Sequence, residues 1–257
     1  MKNRIYFFTG TGNSLRAAEK IGEHLEDCEI IAITEKTEPH IPSGCQRIGF
    51  VFPVYFQGMP KMVADFIENA SFPEQKDTYF FAVATYGALH GNAIPQMGRL
   101  LSEKGIHLNY NKNLRMFSNY VVMYDMSQRV QEITEKSERD IEGFLGEIVA
   151  KKENKTAGFI PVLSWYYKKQ IARVNGADNH FSVSEDCISC GKCAALCPSC
   201  NIKMVDGHPQ FQHRCNQCVA CIQYCSKRAI NYKKTTEKRR RYTHPKIGYQ
   251  ELAKYYK

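Results

Sequence analysis

Apolar residues in the first 150 positions fall into short runs alternating with helix-spaced stripes. Ile5–Phe8 is a β-rich run that ends in Thr9-Gly10-Thr11-Gly12-Asn13-Ser14, after which Leu15, Ala18, Ile21 and Leu25 recur at near-helical spacing. Glu29–Ile33 and Ile48–Phe52 read as the second and third strands, the latter stopped by Pro53. Pro60–Asn69 reads as a helix with Met62, Val63, Phe66 and Ile67 inward. Tyr79–Ala84 is a fourth, fully apolar strand, and Asn92–Lys104 a helix stopped by Gly105. A weaker strand lies within Leu108–Phe117. The longest helix runs from Ser127 to about Lys152, and a short amphipathic one falls within Ile160–Val174.

Strands alternating with helices predict βαβ units, hence an α/β fold whose parallel sheet is covered on both faces. Ligands of such sheets sit outside the carboxyl ends of the strands, so the loops after Phe8, Phe52 and Ala84 are the places to look. With 257 residues and 43% hydrophobic side chains, the chain can bury a substantial core. No apolar run approaches the ~18 residues of a membrane span. The N-terminus has no long apolar segment, so a cytoplasmic, reducing home is expected rather than secretion.

That compartment changes how the cysteines read. Nine of the eleven lie between Cys187 and Cys225. Cys187, Cys190, Cys193 and Cys197 form C-x2-C-x2-C-x3-C before Pro198, and Cys215, Cys218, Cys221 and Cys225 repeat the spacing before Ser226. Three thiolates two residues apart wrap a loop around three corners of a cube; the fourth must come from elsewhere. Structural zinc also takes four cysteines, but as C-x2-C pairs with a longer spacer, which this spacing fits poorly. The double run resembles bacterial-type two-cluster ferredoxins, in which the fourth Cys of each run serves the other cluster. The resemblance implies one [4Fe–4S] cluster on Cys187, Cys190, Cys193 and Cys225, and another on Cys215, Cys218, Cys221 and Cys197. Ile188, Ile202, Val219 and Ile230 would pack around them. Cys200 is surplus and reads as a free thiol; Cys28 and Cys45 read as ordinary buried or half-buried thiols. Ser226 departs from the family's Pro without removing a ligand.

The Thr9–Ser14 loop joins a strand to a helix with small residues and hydroxyls. Its amides and the helix N-terminus suit an anion. It lacks the Lys of a Walker loop and the G-x-G-x-x-G of dinucleotide folds. Thr9, Gly10, Thr11, Gly12, Asn13 and Ser14 resemble the FMN phosphate loop of flavodoxins. That family implies a doubly wound five-stranded parallel sheet of order 2-1-3-4-5. It also implies ring contacts from Pro53, Val54, Tyr55 and Phe56, and from Thr85, Tyr86 and Gly87.

Together the two likenesses resemble flavodoxin–ferredoxin fusion proteins. They imply an FMN domain over 1–152 and a two-cluster ferredoxin-like domain over 181–234; the stretch 153–180 reads as a structured linker or as a final helix of the first domain, and 235–257 as a basic tail. Three functions compete: an electron carrier, a flavin-dependent reductase of a quinone, enone or nitro compound, and a nucleic-acid binder with structural clusters. The first is favoured. Residues 226–257 hold eleven Lys and Arg against two acids, the whole of the formal +9. This reads as a docking patch for an acidic redox partner rather than for nucleic acid, or as a solvated end. Tyr249, Tyr255 and Tyr256 are expected to pin a last helix, Ile247–Tyr256. Oligomeric state is not legible.

Overall fold

Alternation along the first strand turns Ile5 and Phe7 to one face and Tyr6 and Phe8 to the other, and all four are buried. A strand buried on both faces belongs in the middle of a covered sheet. The computed structural model describes residues 2–256. Along the chain run β1 (Asn3–Phe7), α1 (Asn13–Gly22), β2 (Cys28–Ala32), β3 (Arg47–Pro53), α2 (Lys61–Asn69), β4 (Tyr79–Tyr86), α3 (Ala93–Glu103), β5 (Tyr110–Arg115) and α4 (Val130–Val149). The five strands pair in parallel in the order β2-β1-β3-β4-β5, the expected doubly wound, flavodoxin-like sheet.

Both faces are filled. Ile5, Phe7, Val51, Phe81 and Val83 pack with Leu15 and Ile21 of α1 and Ile141, Phe144 and Ile148 of α4. Tyr6, Phe8, Phe50, Phe52 and Ala82 pack with Val63 and Phe66 of α2 and Ile94, Met97 and Leu101 of α3. A Cβ on Gly49 would lie 2.1 Å from the Phe81 ring, so the phenyl lies directly over the neighbouring strand's backbone.

The second half is built of smaller pieces: α5 (Pro161–Ile171), a 3-10 turn (Val174–His180), β6 (Phe181–Val183), α6 (Lys192–Ala195), β7 (Ile202–Val205), β8 (His208–Phe211), α7 (Ala220–Gln223), β9 (Ile230–Tyr232) and α8 (Tyr249–Ala253). β6 pairs with β9 and β7 with β8, both antiparallel. The cysteine runs repeat in backbone as well as in spacing. Ser189 and Gln217, Gly191 and Val219, and Cys200 and Arg228 occupy matching positions, and all six have positive φ.

The halves share a core. Leu196, Ala220, Ile247, Leu252 and Tyr256 belong to the same apolar cluster as Ile5 and Phe7 of the sheet. The chain after Thr235 is a strap rather than a loose end. Arg239 donates to the Val121 carbonyl, Arg240 to Gln128 and Arg241 to Asn231, so most of the Lys238–Arg241 run is bonded to its own chain. α8 is shorter than expected because Gly248 is extended and Ile247 is drawn into the core ahead of it.

Candidate functional site

The loops after β1, β3 and β4 converge on one cleft of about 270 Å³. Thr9, Gly10, Thr11, Asn13, Ser14, Pro53, Val54, Tyr55, Phe56, Thr85, Tyr86 and Gly87 all line it. Gly12 does not. It takes φ +96° and turns away, and a Cβ there would lie 2.7 Å from Ile247. Three further segments add to the wall: Phe117–Tyr120 with Met123 and Tyr124 after β5, Tyr166 of α5, and Gln217–Val219 of the second cysteine run. The rule that located the first three loops, ligands at carboxyl ends of parallel strands, applies equally to β5. The sequence carries no sign that Cys218 meets the same cleft.

The first loop is held from behind and leaves its front free. Thr9 Oγ1 accepts from the Gly12 amide at 3.0 Å, and Ser14 Oγ pairs with Thr85 Oγ1 at 2.8 Å, tying two loops together. Asn119 donates to Thr11 Oγ1 at 2.8 Å and Asn13 to the Phe117 carbonyl at 3.1 Å. The strap grips the same loop: Tyr242 OH donates to Asn13 Oδ1 at 2.8 Å, the His244 amide to the Thr11 carbonyl at 2.8 Å, and Tyr256 OH to the Thr9 carbonyl at 2.6 Å. The first amides of α1 have no acceptor inside their helix, and their dipole favours an anion. Among the described residues no Lys, Arg or His lines the cleft, so the donors they offer such an anion are neutral. The Gln57 Oε1 atom, buried at the cleft wall, has no hydrogen-bond partner among the described residues. Burial pushes the Tyr55 and Tyr120 hydroxyls well above the ordinary phenol range, so both are neutral donors.

The eight run cysteines surround two further cavities. Cys187, Cys190, Cys193 and Cys225 line one, together with Ile230, Met204 and Pro209. Cys197, Cys215, Cys218 and Cys221 line the other, together with Ile202, Phe211 and Val219. In each, three cysteines come from one run and the fourth from the other. Ile202, Val219 and Ile230 are buried, whereas Ile188 touches its cavity but is 57% exposed, because its loop lies at the surface. Matching amides donate to sulfur in both runs, Asn201 to Cys197 at 3.2 Å and Ala229 to Cys225 at 3.3 Å. Burial raises the thiols, Cys193 to about 11, Cys215 to about 12 and Cys221 well above the ordinary range, so without a cationic centre they would stay protonated. Among the described residues no three His, Cys, Asp or Glu side chains gather as one metal ion requires. Cys200 joins neither quartet and lines a separate cavity with Lys36 and Tyr249. Cys28 is half-buried and Cys45 buried.

The second quartet and the cleft meet at a wall. A Cβ on Gly10 would lie 1.9 Å from the Cys218 carbonyl oxygen, so the Thr9–Ser14 loop and the second cysteine loop are in direct backbone contact.

No family model matches the chain, nor does any curated protein. Solved structures with a similar fold include a Streptococcus pneumoniae flavodoxin (16% identity, 59% of this chain and 99% of that one, TM-score 0.42). Others are a putative flavoprotein from Bacteroides uniformis (19%, 44% and 90%, 0.36) and Megasphaera elsdenii flavodoxin (17%, 43% and 84%, 0.37). At those identities and scores the likeness adds nothing to what the strand order already establishes. No helix among the described residues is long and apolar enough to cross a membrane.

Proposed function

We propose that the chain is an electron-transfer iron–sulfur flavoprotein, with FMN in the cleft and a [4Fe–4S] cluster in each cysteine quartet. Residues 1–152 would carry the flavin and 181–234 the clusters, with 153–180 joining them and 235–257 bracing both. The observation that carries this reading is the shared wall. Cys218 belongs to one quartet, lines the cleft and touches the phosphate-type loop through Gly10.

The donor set suits the groups. Neutral amides and the hydroxyls of Thr9 and Thr11 suit a phosphate held without a counter-cation, and the orphaned Gln57 Oε1 suits a donor on a bound ring. Tyr55, Phe56 and Tyr86 would flank that ring. Four cysteines with N–H donors to sulfur suit a cluster, and their C-x2-C-x2-C spacing fits a single zinc ion poorly. When bound, FMN exchanges electrons singly or in pairs and a cluster exchanges one at a time. The chain's own work is to hold the cleft and the second quartet at a fixed, short separation and to keep charged side chains out of the cleft. Protein purified without oxygen should contain iron, acid-labile sulfide and FMN together. Zinc in place of iron, or failure to retain FMN on reconstitution, rejects the reading.

A second reading, reduction of a small organic acceptor, is favoured by the open mouth of the cleft. Leu89 and Met123 line it and are each about two-thirds exposed. Multiple turnovers of a quinone, enone or nitro compound by the reduced protein would select it; electron delivery only to another protein would select the first.

A further inference from the structure

The helix α5 has no buried residue. Its inward side is half-covered, with Tyr167 against Gly58, but Val162, Trp165 and Tyr166 point out at i, i+3 and i+4. Val162 is 68% and Trp165 66% exposed. The apolar surface continues past the helix. Ile160, 45% exposed, is tied through both its amide and its carbonyl to Asn92, and so sits beside the loop that carries Leu89. Tyr166, Leu89 and Met123 reach the cleft. The patch therefore surrounds the mouth of the cleft, and single scattered apolar residues do not account for it.

Charge narrows what covers it. Between Glu153 and Asp178 there is no acidic residue, while Lys155, Lys168, Lys169 and Arg173 are all exposed. Lys169 continues the outward stripe one turn on and lies over the Trp165 ring at 5.4 Å. A second copy meeting this face about a twofold axis would set these cations against their own counterparts. Trp, Tyr and Lys side by side satisfy an apolar body and a polar tip at once, which is the requirement of a headgroup–acyl boundary.

We infer that this face docks peripherally on an anionic lipid surface, with α5 lying in the interface and the mouth of the cleft turned toward the lipid. The docking does not depend on what fills the cleft. With FMN there, the flavin would open toward lipophilic donors or acceptors dissolved in the membrane.

Trp165 is the single Trp of the chain and reports from the centre of the face. Full-length protein is mixed with vesicles of phosphatidylglycerol and phosphatidylcholine, or of phosphatidylcholine alone. Co-flotation and Trp165 emission are the readouts, independent of flavin and iron content. Expected are co-flotation and a blue shift with the anionic vesicles only, both weakening as salt rises. Val162→Asp, at an exposed position, should weaken binding by roughly tenfold or more, and Lys168→Glu with Lys169→Glu should abolish it. No co-flotation at low salt, or equal binding to neutral vesicles, overturns the inference. A blue shift that rises with protein concentration alone assigns the face to a second copy. Retention on poly-glutamate but not on vesicles assigns it to an acidic protein. Both also overturn it.

Discussion

Phe56 and Gln57 sit at φ 51° and 68°, in a turn closed by reciprocal bonds between Tyr55 and Gly58 at 2.8 Å. Such a turn ordinarily takes Gly or Asn at both central positions, and each side-chain-bearing residue there costs about 1–2 kcal/mol. The cost is offset by what the side chains reach: Phe56 and Gln57 both line the cleft. Phe56→Gly should therefore raise stability by about 1 kcal/mol, read as a higher urea midpoint, while weakening FMN binding by about tenfold. A variant that is less stable and binds FMN unchanged shows the turn to be merely structural. Val219 makes the same point. Its counterpart in the first cysteine run is Gly191, yet Val219 keeps a β-branched side chain at φ 58° because that side chain is buried between the second quartet and the cleft.

Elements differ in how far they could be read in advance. β1, β3 and β4 were legible because each is buried on both faces and so reads as an unbroken apolar run. The two cysteine runs were legible because spacing alone constrains them. The strap was not. Its Tyr, His and Ile are spaced without period, and their partners, Asn13, Thr11, Thr9 and Gly12, lie more than 200 residues away along the chain. Its charge gave no sign of this either, although Arg239, Arg240 and Arg241 donate to carbonyl and side-chain amide oxygens of their own chain. Nor could pattern alone reveal that α5 turns an apolar stripe outward, because its other face is apolar too. The strap's role is testable by its mildest lesion. Tyr256→Phe removes one hydrogen bond to the Thr9 carbonyl, worth about 1 kcal/mol, and leaves the ring packed. FMN should dissociate several-fold faster while iron and sulfide contents stay at the wild-type level. Loss of iron with FMN binding unchanged would contradict a brace on the loop.

At the scale of the whole molecule the two candidate sites are one structure, because Gly10 and Cys218 share a contact with no room for a methyl group. Gly10→Ala, a change far in sequence from both cysteine runs, should lower both FMN and iron content; loss of FMN alone would mean that the halves yield independently. The strap makes the same assembly sensitive to acid. Burial lowers His244 from an ordinary 6.5 to about 4; nearby Glu138 opposes the shift without cancelling it. Its Nδ1 accepts the Lys246 amide at 3.3 Å, which leaves the proton on Nε2, a buried atom with no hydrogen-bond partner among the described residues and with the Glu138 carboxylate 4.0 Å away. The folded chain thus keeps this ring neutral where the unfolded chain would protonate it. Stability is complete above pH 6.5 and lost as the pH falls toward 4, by about 3 kcal/mol. Glu138 acts in a lower window. Burial raises it, but hydrogen bonds from Arg16 and Lys246 outweigh that and hold it at about 2, so its contribution fades only between about 4.5 and 2. Since His244 bonds the Thr11 carbonyl through its amide, its protonation should loosen the loop from behind. Between pH 7 and 5, wild-type protein should lose urea stability and release FMN more steeply than His244→Gln, which carries no proton to gain. Glu138→Gln should be less stable at pH 7 yet keep a comparable slope across that interval. Parallel profiles for wild type and His244→Gln would exclude the strap as the acid-sensitive element.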